Sequence, residues 1–300
     1  MTLPFVRDHD DIYVTDEFLS ALHNRCQLAL RAAPRGSYIS HHTAAVLCGL
    51  WPPVSPTIHV SVPPRAGRSM PPGVSAHRGR FEAWKMRVGD LPVSAPPQTV
   101  VDLSRTLKLI DLVPLMDSLL GRTEYETRHV RACMSRTNIY RRDLLEAMKL
   151  ARPLSGSAME SRMRLLAVKG GFPEPQLQIP VQIPTAWLPD HDPAKGDGSH
   201  VTFRVDAGYK DIRVGFEYDG EHHEDPRQRS LDESRRALLE RAGWDIHVLT
   251  GRRMSGHPKM FLDELASGYN ARARQPVRLS SDWRSIFVDW SRQEFAPSDF

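Results

Sequence analysis

Two stretches in the second half of the chain alternate apolar and polar residues and end on carboxylates. Val201 to Ala207 puts Val201, Phe203 and Val205 on one side of an extended chain and Thr202, Arg204 and Asp206 on the other, because strand side chains alternate. Val214 to Asp219 repeats the pattern, with Val214, Phe216 and Tyr218 on one face and Arg213, Gly215, Glu217 and Asp219 on the other. Gly208-Tyr209-Lys210-Asp211 between them predicts a hairpin turn. If both apolar faces meet one core, Asp206, Glu217 and Asp219 converge. Carboxylates so placed repel and need a cation to stay ionised together, and oxygen ligands suit Mg²⁺, with Mn²⁺ able to substitute.

Longer periods surround these strands. Ser157 to Lys169 carries Met159, Met163, Leu166 and Val168 at helical spacing and stops at Gly170-Gly171. Leu177 to Ile183 predicts a strand, and the Pro-, Gly- and Asp-containing stretch from Pro184 to His200 a loop. Pro226 to Ala242 predicts a helix with Leu231, Leu238, Leu239 and Ala242 inward, capped by Gly243. Trp244 to Thr250 follows as a strand and Pro258 to Tyr269 as a helix. The tail repeats Trp283, Ile286, Phe287 and Trp290 every three to four residues, which predicts an apolar helical face that packs on the core or on a partner.

The first half reads as one helix from Phe18 to Ala32, a short helix over Ile39 to Leu50 ended by Gly49, and a strand over Thr57 to Val62. Strands near Val74 to Arg78 and Met86 to Leu91 follow, and then a helix opened by Pro96-Pro97. A Pro- and Gly-containing link at Leu150 to Gly156 separates the halves, so the expected division is 1–150, 155–270 and a tail at 271–300.

Composition narrows the classes. A chain of 300 residues suggests about two domains, its charged N-terminus lacks a signal-peptide core, and no apolar run approaches bilayer length, so a cytoplasmic protein without a membrane partner is expected. Cys26, Cys48 and Cys133 have no ligand spacing and read as reduced thiols. His41 and His42 read as structural. The net charge of +4 is compatible with nucleic acid but too small to argue for it alone. Arg122, Arg128, Arg131, Arg136, Arg141 and Arg142 crowd a segment with few acids, which makes Arg128, Arg131 and Arg136 candidate phosphate contacts or a solvated face. Arg235 and Arg236 are further candidates for nucleic acid, or charges paired with Asp232 along one helix.

The order helix, three strands, helix, strand, with Glu160 in the leading helix, Asp206 on the second strand, Glu217-Tyr218-Asp219-Gly220 on the third and His223 after it, resembles the restriction-endonuclease-like PD-(D/E)XK superfamily. Within it, residues 155 to 265 are most similar to the actinobacterial domain related to very-short-patch-repair endonucleases. The resemblance implies a mixed central sheet flanked by helices, Asp206 and Glu217 as metal ligands, Glu160 as their support and His223 as acid/base. Asp219 stands where the superfamily usually has Lys, which implies either catalysis through His223 and metal-bound water or a fold kept without the chemistry. Residues 37 to 121, through Ser-His-His-Thr-Ala-Ala-Val-Leu-Cys-Gly-Leu and Pro-Pro-Gln-Thr-Val-Val-Asp-Leu, resemble the core of AbiEi-type antitoxins, whose winged helix has too little chain ahead of it here.

The expectation is therefore an α/β protein, its first half α+β, acting as a Mg²⁺-dependent DNA endonuclease in repair, restriction or phage defence. DNA, and a toxin or other defence protein, are the expected partners. The alternative is a non-catalytic nucleic-acid-binding or antitoxin-like regulator. Simpler roles stand beside each site residue: Ser157 and Glu160 have capping-box spacing, Asp206 and Glu217 share faces with Arg204 and Arg213, and Asp219-Gly220 suits a turn.

Overall fold

A computed structural model describes residues 5–8, 11–14, 16–53, 55–80, 82–188, 199–220 and 226–287, without the side chains of 5–16 and 226–230. The chain divides into two compact units, Met1–Pro153 and Leu154–Phe300, a break inside the predicted link. Both mix helices and strands, as the α/β reading expects. Among the described residues no helix is long and apolar enough to cross a membrane.

The first unit opens with a two-stranded hairpin, β1 (Phe5–Asp8) and β2 (Asp11–Val14), and the helix α1 (Asp16–Ala32). A five-stranded mixed sheet follows in the order β5-β4-β3-β7-β6, formed by β3 (Tyr38–Ile39), β4 (Ile58–Val62), β5 (Val74–Arg78), β6 (Lys85–Val88) and β7 (Leu91–Ser94). Leu22, Cys26 and Ala29 of α1 pack on Ile39, Val60, Val62, Leu91 and Val93, because the 3.6-residue period of the helix and the two-residue period of the strands each turn one apolar face to the same core. The helices are α2 (His41–Leu47), α3 (Pro96–Leu103), α4 (Leu109–Arg122), α5 (Thr127–Thr137) and α6 (Arg142–Leu150). The sequence joins Met86 to Leu91 as one strand; the structure folds it into a hairpin, with Val88 opposite Leu91 and Gly89 at φ 59° in the turn, a conformation that costs glycine little. Ile39 belongs to a strand instead of starting α2.

The second unit runs α7 (Ala158–Lys169), β8 (Gln176–Pro184), β9 (His200–Tyr209), β10 (Val214–Asp219), α8 (Pro226–Arg241), β11 (Asp245–Thr250), α9 (Gly251–Gly256), α10 (Pro258–Arg272) and α11 (Arg284–Phe287). Its sheet has the order β11-β10-β9-β8, with β8, β9 and β10 antiparallel and β11 parallel to β10 across the α8 crossover. Ile179, Val181, Ile183, Val205, Leu238, Leu239 and Trp244 form the core beneath α8. On the other face Phe216 meets Phe261 of α10 edge to face, with ring centres 6.1 Å apart. Leu231, expected inward, is 62% exposed; it shares the face of Leu238 but lies about two turns nearer the start of α8. The described part of the tail ends in a four-residue helix with Phe287 buried, just after the buried Trp283, and the Ser280 N–H before it donates to the Gly170 carbonyl at 2.8 Å; Trp290 lies outside the described residues.

Candidate functional site

Two apolar runs that look alike in the sequence serve different cores. Val205 packs beneath α8, and a Cβ on Gly215 would stand 2.6 Å from Val205 Cγ1 and 2.9 Å from Ile246 Cδ1, so Gly215 and Glu217 belong to the α8 side. Phe216 faces α10, and Ala207, opposite Phe216 in the register, goes with it. Val205 and Ala207 are therefore on opposite faces although two residues apart. The expectation of one shared apolar face is corrected here: β9 changes sides at Asp206.

The neighbouring strand changes sides on the same line. Leu177 pairs with Ala207 and Ile179 with Val205, which sets Gln178 opposite Asp206, and Gln178 has φ 48°, the left-handed region that non-glycine residues seldom occupy. The β9–β10 ladder also stops here, after Phe216 and Ala207, and the Asp206 carboxylate accepts the Tyr218 backbone N–H at 2.9 Å. Continuing the register sets Glu217 beside Asp206, so Gln178, Asp206 and Glu217 form a row across three strands.

Two further groups meet this row. Glu160, 7% exposed in the first turn of α7, accepts the Gln178 side-chain N–H at 3.0 Å and the Gly156 backbone N–H at 2.8 Å, while its own N–H donates to the Ser157 hydroxyl at 3.1 Å. The Ser157 half of a capping box is present, while the Glu160 carboxylate takes the Gly156 N–H in place of the N-cap N–H. Arg235 of α8 donates through both terminal nitrogens to the two Glu217 oxygens, at 2.9 and 3.0 Å, and to the Arg204 carbonyl. Glu217 is buried, 8% exposed, while a third of the Arg235 side chain (33%) stays exposed. A planar guanidinium matches a carboxylate bidentately, which makes this the strongest type of ion pair.

The carboxylates of this row are engaged by donors of the chain itself. Both Glu217 oxygens are taken by Arg235, one Asp206 oxygen by a backbone N–H, and Glu160 by Gly156 and Gln178; among the described residues no three His, Cys, Asp or Glu side chains are placed to hold a metal. Asp219 ends β10 half-buried, opposite Thr250 in the β11 register. His223 lies outside the described residues. Arg235, a predicted nucleic-acid contact, is instead turned inward, and Arg236 is half-buried. Arg128, Arg131 and Arg136 are exposed on α5, Arg128 with Glu126 at 2.7 Å. Gln178 is the residue sequence reasoning missed, since a lone Gln between apolar neighbours looks like any strand position. Arg235 was seen but not its partner, eighteen residues away.

The first unit holds a second polar cluster. His41, itself at φ 52°, stacks on His77 at 3.6 Å, and His59 Nδ1 lies 2.8 Å from His77 Nε2. Burial, with the neighbouring histidines, drives His41 down to about 2 and His59 and His77 to about 4, and it lowers His42 as well.

No known family model matches the chain. Two relatives in Mycobacterium tuberculosis, the uncharacterized proteins Rv2248 (strain H37Rv) and MT2308 (strain CDC 1551), are each 31% identical to it over 212 residues, which spans 68% of this chain and 70% of theirs. The chain belongs to their family. Family membership at this coverage takes in parts of both units, since 212 residues exceed the length of either.

Proposed function

We propose that this family member is a nucleic-acid-binding protein whose second unit keeps a restriction-endonuclease-like architecture without metal-dependent hydrolysis. The observation that carries the reading is the Arg235 fork on Glu217, which engages both oxygens of a carboxylate that a metal would need. The helix, three antiparallel strands, helix and parallel strand support the architecture, and Asp219, in place of the usual lysine, removes a charge that hydrolysis would use. Nucleic acid as the partner is supported by exposed Arg128, Arg131 and Arg136 and by a pI near 9.0.

One observation favours endonuclease activity as a second reading. Gln178 is held in a left-handed conformation beside Asp206, and such strain collects at functional sites. The experiment is a cleavage screen of single-stranded, duplex and branched DNA with Mg²⁺ and Mn²⁺, together with binding measured in a salt series. Salt-dependent binding without cutting is expected. Cutting that disappears in Asp206→Ala and Glu217→Ala would overturn the non-catalytic reading in favour of the second.

A further inference from the structure

Where α3 ends and α5 turns into α6, the first unit opens a cleft of about 340 Å³ lined by Arg80, Arg105, Thr106, Asn138, Tyr140 and Arg141. Three arginines from three separate segments line it, and among the described residues no carboxylate does. Asp102, which interacts electrostatically with Arg105 and Arg80, is buried, and burial pushes its carboxyl up to about 7, so it offsets their charge only in part. Asp143 lies in the first turn of α6 and outside the lining.

The local backbone points the same way. Arg141 occupies the N-cap of α6 and makes no capping bond with its side chain. Cap positions favour Ser, Thr, Asp and Asn, and a cation at a helix N-terminus opposes the helix dipole. Arg141 is also oriented toward the cleft, since its guanidinium donates to the Arg105 carbonyl at 3.3 Å. A residue that breaks a local rule in this way signals a site. Tyr140, 58% exposed, adds an aromatic face at the rim, its hydroxyl held by Ser135 Oγ at 3.1 Å.

We propose that this cleft binds a single-stranded nucleic acid, with phosphates on Arg80, Arg105 and Arg141 and a base stacked on Tyr140. Converging guanidinium groups recognise phosphate oxygens through paired N–H donors, and an exposed tyrosine beside them stacks a base whatever its identity. A duplex keeps its bases stacked inside and cannot use the ring. The inference rests on the nucleic-acid-binding reading and gives it a place and a strand form.

The test is fluorescence anisotropy with a labelled mixed-sequence single-stranded oligonucleotide across a salt series, on the full chain. Wild type is compared with Arg80→Gln/Arg105→Gln/Arg141→Gln and with Tyr140→Ala, each checked by circular-dichroism melting; if the triple variant melts early, Arg141→Gln replaces it. The triple variant should bind at least about tenfold more weakly and lose about 0.7 of salt slope per phosphate contact removed. Tyr140→Ala should weaken binding with the slope unchanged, and an unlabelled duplex should compete less well than the single strand. Wild-type affinity and slope in the folded arginine variant would overturn the cleft site while leaving nucleic-acid binding in place. Absence of oligonucleotide binding by wild type would overturn both. If AMP or inorganic phosphate binds the cleft while the arginine variant holds the oligonucleotide normally, the ligand is a small anion and the single-strand assignment fails.

Discussion

Glu160 shows how far one side chain can be read from its neighbours. The Ser157-x-x-Glu160 spacing is local, so the cap that Ser157 makes by accepting the Glu160 N–H was legible, whereas the turn of the Glu160 carboxylate to Gly156 and Gln178 was not. Because a Gln side-chain oxygen can still accept the Gly156 N–H, Glu160→Gln should leave the melting temperature nearly unchanged, whereas Ser157→Ala should cost about 0.5–2 kcal/mol. A large loss on Glu160→Gln would show that its contacts with Gly156 and Gln178 need the charge. Arg235 is the opposite case, because nothing in a helical repeat says which of its arginines turns inward toward a strand. Arg235→Ala leaves Glu217 enclosed without its fork and should destabilise by roughly 1–3 kcal/mol, as for a buried acceptor left unsatisfied. Glu217→Gln combined with Arg235→Ala should cost less than the two single changes added together, and chemical denaturation of the full cycle measures the coupling. Additive costs would mean that the fork contributes nothing as a pair.

Most strands and helices of the second unit were legible because periods of two and 3.6 are local properties. Which face each strand shows to which helix was not. Val201 to Val205 and Val214 to Tyr218 carry the same pattern, yet one run lies beneath α8 while Phe216 of the other meets α10. A left-handed residue in the adjacent strand decides this, and Gln gives no advance sign of that conformation. The packing at Gly215 follows from the same geometry. Gly215→Ala forces a methyl to 2.6 Å from Val205 Cγ1 and should destabilise by about 1–3 kcal/mol through overpacking. Val205→Ala in the same chain should recover part of that loss; no recovery would place the clash elsewhere. The missed hairpin at Gly89 has a different cause, since a two-residue turn inside an apolar stretch leaves the alternation almost intact.

For the whole molecule, the two compact units meet at Pro153–Leu154, inside the Leu150 to Gly156 link, and each has its own apolar cluster. The units should answer acid differently. His41, His59 and His77 have folded values below the ordinary 6.5, so the unfolded chain binds their protons first and the stability they give is lost as pH falls from about 6.5 toward 4. Asp102, raised to about 7, works the other way and gains over the same interval, but it is one group against three. Calorimetry between pH 7 and 5 should show the first unit's transition moving to lower temperature. His77→Phe, which keeps a ring and removes the titration, should make that shift smaller. A transition unmoved by pH would refute the histidine account.

The paired change of sides at Gln178 and Asp206 also limits how this family can vary in length. A single residue added or removed within either strand on one side of that line would turn the following side chains to the wrong face, sending Ile179, Val181 and Ile183 away from α8 or Ala207 away from α10. A compensating change in the partner strand would be needed at once. The segment joining β8 to β9 carries no such constraint, because loop closure costs little per added residue. Among homologues, gaps should therefore gather between Pro184 and His200 and spare the residues flanking Gln178 and Asp206.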